Sequence, residues 1–179
     1  IDFLCASQEG YRELRNTIHD TSLGAIFSRP VQLAREVRAD RYGIRTFLRI
    51  DDVPVKFEIV SEGRIQIEGE MNTATGVPTL SRADMYAEKL LANTDRYRDK
   101  AVASRDIIDL AMMIGHWGAV PEAAWDKVRQ AYGSSSDRAF HGAIEMVSDR
   151  GYLAQCLVKM HRALELVAQS SAVLRGDAS

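Results

Sequence analysis

The sequence predicts an α+β protein, a small mixed sheet with flanking helices followed by a C-terminal helical bundle. Three observations carry this expectation. Several short runs before residue 78 alternate apolar and polar residues with the period of a strand. A helix-period segment follows the first of these runs. From about Thr79 onward the apolar residues recur at steps of three and four instead. The expected division is an α/β core over 1–78 and a helical domain over 79–179.

Each element follows from local pattern. Ile1, Phe3 and Cys5 alternate with Asp2 and Leu4, as on a half-buried strand. The chain opens inside this strand without a methionine, which predicts that an N-terminal part is missing. Tyr11, Leu14 and Ile18 then form one face of a helix that Ser7 can cap. After a loop around Leu23 to Pro30 come three strand-like runs, QLAREVRAD, YGIRTFLRI and VPVKFEIV. Asp51-Asp52 between the last two predicts a tight hairpin turn. A short fourth strand is expected at Arg64 to Gly69 after a turn at Glu62-Gly63. Ser81 with Asp84 at its third helical position nearly makes a capping box. That helix carries Met85, Leu90 and Leu91, and RDIIDLAMMIGHWG predicts a second helix ending at Gly118. Pro121 to Tyr132 is a third, with proline at its start. GSSSD caps a fourth, Arg138 to Asp149. Tyr152 to Leu174 is a fifth, striped by Leu153, Leu157, Met160, Leu164 and Val167.

Composition narrows the classes of function. A chain of 179 residues, 46% of them hydrophobic, buries enough surface to fold without staples. A net charge of −2 gives no global field for duplex DNA. Cys5 and Cys156 lie far apart with no metal-ligand spacing, as expected of reduced thiols in a cytoplasmic protein. No apolar run approaches the roughly 20 residues that cross a bilayer, so no membrane partner is expected. The four histidines are scattered and suggest no zinc site. There is no Gly-rich phosphate loop.

The acidic residues are more informative. In VKFEIV, Lys56 and Glu58 share one face of a strand, and Phe57 and Ile59 the other. Taken alone, Lys56 and Glu58 also suit the solvated face of an antiparallel sheet. Asp2 changes the balance. Carboxylates of Asp2 and Glu58 on one face of neighbouring strands would repel unless a cation neutralised them. Mg²⁺ does this with a few carboxylates and substrate phosphates. Further on, Asp106 and Asp109 lie on one helix face bordering the apolar Ile107, Ile108 and Ala111. Ordinary helix-surface pairing, such as Arg105 with Asp109, accounts for them equally well. Lys89 precedes them in a helix interior, where an ammonium beside metal-bound carboxylates would clamp phosphate.

These stretches, in order, resemble the motifs of the AbiE-type abortive-infection toxins (AbiEii-like nucleotidyl transferases) of the polymerase-β-like nucleotidyltransferase superfamily. The resemblance runs from residue 1 to about 113, and the helical remainder fits the family's C-terminal bundle. Asp2 in Ile1-Asp2-Phe3 matches the second acid of the family's Asp-x-Asp motif. The Gly-Gly or Gly-Ser and the first aspartate that precede it in the family are absent. Lys56 and Glu58 match the family's Lys-x-Asp or Lys-x-Glu motif. Lys89, Arg98, Arg105, Asp106 and Asp109 match the last motif, a lysine, an arginine and then Arg-Asp-x-x-Asp.

The resemblance implies a nucleotidyltransferase-like fold and a transferase using Mg²⁺ or Mn²⁺. Such an enzyme moves an NMP from an NTP to a hydroxyl of RNA, tRNA included, or of protein. It also implies a toxin with a cognate antitoxin in phage defence. Asp2 and Glu58 would hold metal, and Asp2, Glu58, Lys89, Asp106 and Asp109 would carry catalysis. Lys56, Lys89, Arg98 and Arg105 would bind the nucleotide. Without the first motif the chain is expected to be inactive by itself and to bind NTP with Mg²⁺ weakly. The alternative is a catalytically inactive binding module that keeps the fold.

Overall fold

The structure is a computed structural model of the chain and describes residues 2–18, 23, 24 and 26–160. The chain folds as two compact units, residues 1–66 and 67–179.

The first unit is a sheet with one helix on it. β1 (Asp2–Cys5) runs parallel to β5 (Val53–Ser61), and β5 pairs antiparallel with β4 (Gly43–Ile50). Two short strands, β2 (Gln32–Leu33) and β3 (Arg38–Ala39), both pair antiparallel with β4. The run QLAREVRAD, expected as one strand, is thus split. Four residues lie between Leu33 and Arg38, but only two lie between their partners Leu48 and Arg45. The surplus bulges out, as an inserted pair must where a ladder has no partner for it. Thr46 holds the bulge by donating its hydroxyl to the Arg35 carbonyl at 2.7 Å.

The Asp51-Asp52 turn forms as expected. Ile50 pairs with Val53, and both aspartates adopt positive φ, 46° and 63°. That conformation matches the right-handed twist of the flanking strands. α1 (Gln8–Thr17) follows β1, and the Ser7 hydroxyl accepts from Gly10 N at 3.0 Å. Tyr11 of α1 joins Ile44, Leu48, Phe57 and Ile59 in the core, so the helix covers the sheet face opposite Lys56 and Glu58.

The strand expected at Arg64 to Gly69 does not form. The buried Glu62 carboxylate instead accepts the Arg64 amide at 2.7 Å and grips its guanidinium. The Glu68 amide donates to Asp84 at 2.6 Å. With side chains satisfying these backbone groups, no ladder partner is needed.

The second unit begins with an unexpected hairpin, β6 (Gly69–Asn72) and β7 (Val77–Leu80), turned at Gly76 with φ 68°. Five α-helices follow among the described residues, α2 (Arg82–Arg96), α3 (Arg105–Trp117), α4 (Glu122–Tyr132), α5 (Ser135–Ser148) and α6 (Arg150–Lys159), with a short 3-10 helix at Lys100–Val102 before α3. α2 is central and packs against α3, α4 and α5. Its fully buried Leu90 and Leu91 belong to the stripe the sequence predicts. Pro121 proves to be the residue before α4, where its extended φ and ψ suit an N-cap. α5 starts at Ser135, three residues before the expected Arg138, because the Ser135 and Ser136 hydroxyls donate to the carbonyls of Tyr132 and Gly133. The expected continuation of the last helix to Leu174, with Leu164 and Val167, lies outside the described residues, as do Ile1, His19 and His161. Cys5 and Cys156 form no disulfide.

Candidate active site

Strand register builds the site in the first unit. Asp2 is the direct partner of Glu58, Glu58 of Arg45, and Arg45 of Arg38. Directly paired residues share a sheet face. One transverse row therefore crosses four strands in the order acid, acid, base, base. This row lies on the face opposite the core, where α1 does not cover it.

The row is cross-linked by charge. Arg45 Nε donates to Glu58 Oε1 at 2.6 Å, and its Nη1 to Asp40 Oδ2 at 3.2 Å. Lys56 donates to Glu58 Oε2 and lies 3.7 Å from Asp2 Oδ1. Glu58 is the best shielded of the acids, its side chain 14% exposed against 68% for Asp2. Burial pushes the Glu58 carboxyl up, but the hydrogen bonds from Lys56 and Arg45 outweigh it and hold the group below its ordinary range. Gly43 makes room for this arrangement. A Cβ there would stand 2.8 Å from the Ile59 carbonyl and 3.1 Å from the Arg45 guanidinium.

In the second unit Lys89, Asp106 and Asp109 also meet. Lys89 Nζ donates to Asp109 at 2.7 Å and lies 3.6 Å from Asp106. Asp106, only 3% exposed, accepts a two-pronged contact from Arg96, Nε to Oδ2 at 2.7 Å and Nη2 to Oδ1 at 2.9 Å. Arg105 reaches Asp106 only at 4.0 Å, and Arg98 lies over Tyr97, donating to its hydroxyl at 2.8 Å. α3 enters this cluster through a tight corner, since both Ala103 and Ser104 are left-handed, φ 54° and 47°. Such strain needs support. The Ser104 hydroxyl, 2.9 Å from that of Tyr152, and the near-complete burial of both corner residues supply it.

The sequence matches the family described as "Nucleotidyl transferase AbiEii toxin, Type IV TA system" over residues 1–171. The chain belongs to this family. No curated protein and no solved structure matches it significantly. Membership in the AbiEii family makes it a toxin–antitoxin nucleotidyltransferase by class. No helix among the described residues is long and apolar enough to cross a membrane.

Several AbiEii site neighbours escape sequence reasoning. Arg45 was within reach of it. The two-residue turn pairs Ile50 with Val53, and counting back five residues on each strand sets Arg45 beside Glu58. Arg38 was not, because the bulge shifts its register. Arg96, the main partner of Asp106, is passed over for Arg98, since helical spacing alone does not show which arginine turns toward the neighbouring helix.

The donor chemistry of Asp2 and Glu58 fits Mg²⁺. This ion binds one or two carboxylates and completes its octahedron with water and substrate phosphates. Among the described residues no cluster of three or more His, Cys, Asp or Glu could cage a metal alone. The fit is to an ion shared with substrate.

Proposed function

We propose that the protein is a metal-dependent nucleotidyltransferase that moves an NMP from an NTP to a hydroxyl of RNA or protein. The observation that carries this is the direct pairing of Asp2 with Glu58 beside two basic partners, in a chain of the AbiEii family. Asp2 and Glu58 would hold Mg²⁺ or Mn²⁺, which supplies charge neutralisation of the triphosphate and lowers the pKa of the acceptor hydroxyl. The acceptor oxygen attacks the α-phosphorus in line, the bond to the β-phosphate oxygen breaks, and pyrophosphate leaves. Glu58 accepts the hydroxyl proton once Lys56 turns from it to the phosphates. Lys56 and Arg45 then balance negative charge on the substrate. Within the second unit, Lys89 is proposed as a phosphate contact, with Asp106 and Asp109 orienting it. As a toxin the protein would be restrained by a cognate antitoxin.

One observation favours a catalytically inactive binding module instead: both carboxylate oxygens of Glu58 are already taken by cations. The two are separated by incubating the full-length protein with labelled NTPs, Mg²⁺ and total RNA or total protein. Transfer that disappears in Glu58→Gln is expected. No transfer leaves the binding module, and transfer unchanged in Glu58→Gln overturns the catalytic assignment of Glu58.

A further inference from the structure

The basic end of the row opens onto a cleft of about 530 Å³ in the first unit. Arg35, Arg38, Arg45 and Lys56 line it around Phe47, with Glu36 the one carboxylate in the lining. Arg45 and Lys56 have acidic partners in Glu58, Asp40 and Asp2. Arg35 and Arg38 are different. Among the described residues Arg38 pairs with no carboxylate, and the partner of Arg35 is the Phe47 ring, with the guanidinium carbon 4.7 Å above its centre. Arg38 also stands directly across the ladder from Arg45. Like charges in direct register destabilise a sheet. An anion between them reverses the sign of that contribution.

The geometry also selects the kind of anion. A guanidinium fork matches the paired oxygens of a phosphate group. A guanidinium held over an aromatic ring can present its outer side to another planar group, as base-stacking platforms do. Neighbouring strands stand about 4.8 Å apart, so the two arginine-bearing strands fall within about 10 Å of Glu58, a few phosphate spacings.

We infer that this cleft is a phosphate-ester subsite, in which Arg38 and Arg35 hold phosphate oxygens and the Arg35–Phe47 pair carries a base. The inference rests on the transferase function for its setting, where the phosphate ester is either the nucleotide donor or a polynucleotide acceptor.

Two probes distinguish these sources: ATP by calorimetry, and a fluorescein-labelled single-stranded oligoribonucleotide by anisotropy across a salt series. Both are applied to full-length protein. Arg35 and Arg38 are exposed, so Arg35→Gln/Arg38→Gln should fold, and circular dichroism verifies it. Arg12→Gln/Lys159→Gln, an equal loss of charge at exposed positions outside the cleft, is the control. The expected result is an affinity loss of about tenfold or more for at least one probe in the cleft variant, with a shallower salt dependence for the oligoribonucleotide. Loss for the oligoribonucleotide alone assigns the subsite to the acceptor, loss for ATP alone to the donor, and loss for both to a shared path. Unchanged affinity for both probes, an equal loss in the control, or no binding by the wild type overturns the subsite. Glu58→Gln keeps the two claims apart. If it leaves transfer intact, the catalytic assignment fails whatever the arginines do. If it abolishes transfer while the cleft variant binds normally, only the subsite fails.

Discussion

Glu58 is held by cations on both oxygens, Arg45 on one and Lys56 on the other, and Lys56 also lies 3.7 Å from Asp2, which offsets the repulsion between the two carboxylates. Lys56 is the partner that a divalent cation must displace, because its ammonium stands between Glu58 and Asp2. Its side chain is 54% exposed, so the pairing it gives up is worth no more than about 1 kcal/mol. Lys56→Met is therefore expected to tighten Mn²⁺ binding by up to about fivefold, measured by electron paramagnetic resonance. Unchanged or weaker binding would show that the lysine does not compete.

The same contacts set a pH dependence. The folded-state pKa of Glu58 is depressed, so its contribution to stability is complete above the ordinary carboxylate value. That contribution fades as pH falls through the folded value. The buried Glu62 acts in the same direction. Burial raises its pKa, but hydrogen bonds from the Arg64 side chain and amide lower it further. Urea melts from neutral pH to about pH 3 should show an acid limb that is shallower in Glu58→Gln. An identical limb would mean that Glu58 is not depressed.

Among the elements, the β4–β5 hairpin sets the register that brings Arg45 to Glu58. Its turn holds two aspartates at positive φ, which a residue with a side chain adopts only at a cost. Asp52→Gly is expected to raise stability by about 1 kcal/mol, read as a higher midpoint in urea. A lower midpoint would mean that the Asp52 side chain supports the turn. The α2–α3 pair makes the opposite prediction. Asp106→Asn leaves Arg96 and Lys89 without the charge that holds them, and should cost about 2 kcal/mol. If activity falls with no loss of stability, Asp106 acts in chemistry and not in holding the helices together.

Elements with strong local punctuation were legible in the sequence. The Ser7 and Ser81 caps, the Asp51-Asp52 turn and the Gly118 stop all appear where local chemistry puts them. The misplaced segments depend on distant partners. The bulge in QLAREVRAD is set by β4, and the fate of Arg64 to Gly69 by Glu62 and Asp84.

At the scale of the molecule, each unit carries its own charged cluster on its own scaffold. In the first, a parallel edge strand delivers Asp2 to Glu58, and antiparallel strands deliver the bases. In the second, a buried acid at the helix start stabilises the fold. Asp84 is fully buried, yet it accepts from Lys127 at 2.6 Å, from Ser81 at 2.9 Å and from the Glu68 amide. The Ser81–Asp84 spacing announces the helix cap in the sequence, but the Lys127 contact that neutralises the buried carboxylate comes from a distant helix and does not. Motif order pointed to Asp2, Lys56 and Glu58, and the register joins them. The basic end of the row had no motif to announce it.

The central claim is that Asp2 and Glu58 together hold a divalent ion. Amide spectra of the full-length protein under substoichiometric Mn²⁺ test it most directly, because paramagnetic broadening falls steeply with distance from the ion. Selective loss of the Phe3, Leu4 and Phe57 to Val60 signals, abolished in Glu58→Gln, is the predicted result. Broadening centred on Asp106 and Asp109, or spread evenly over surface acids, would contradict it.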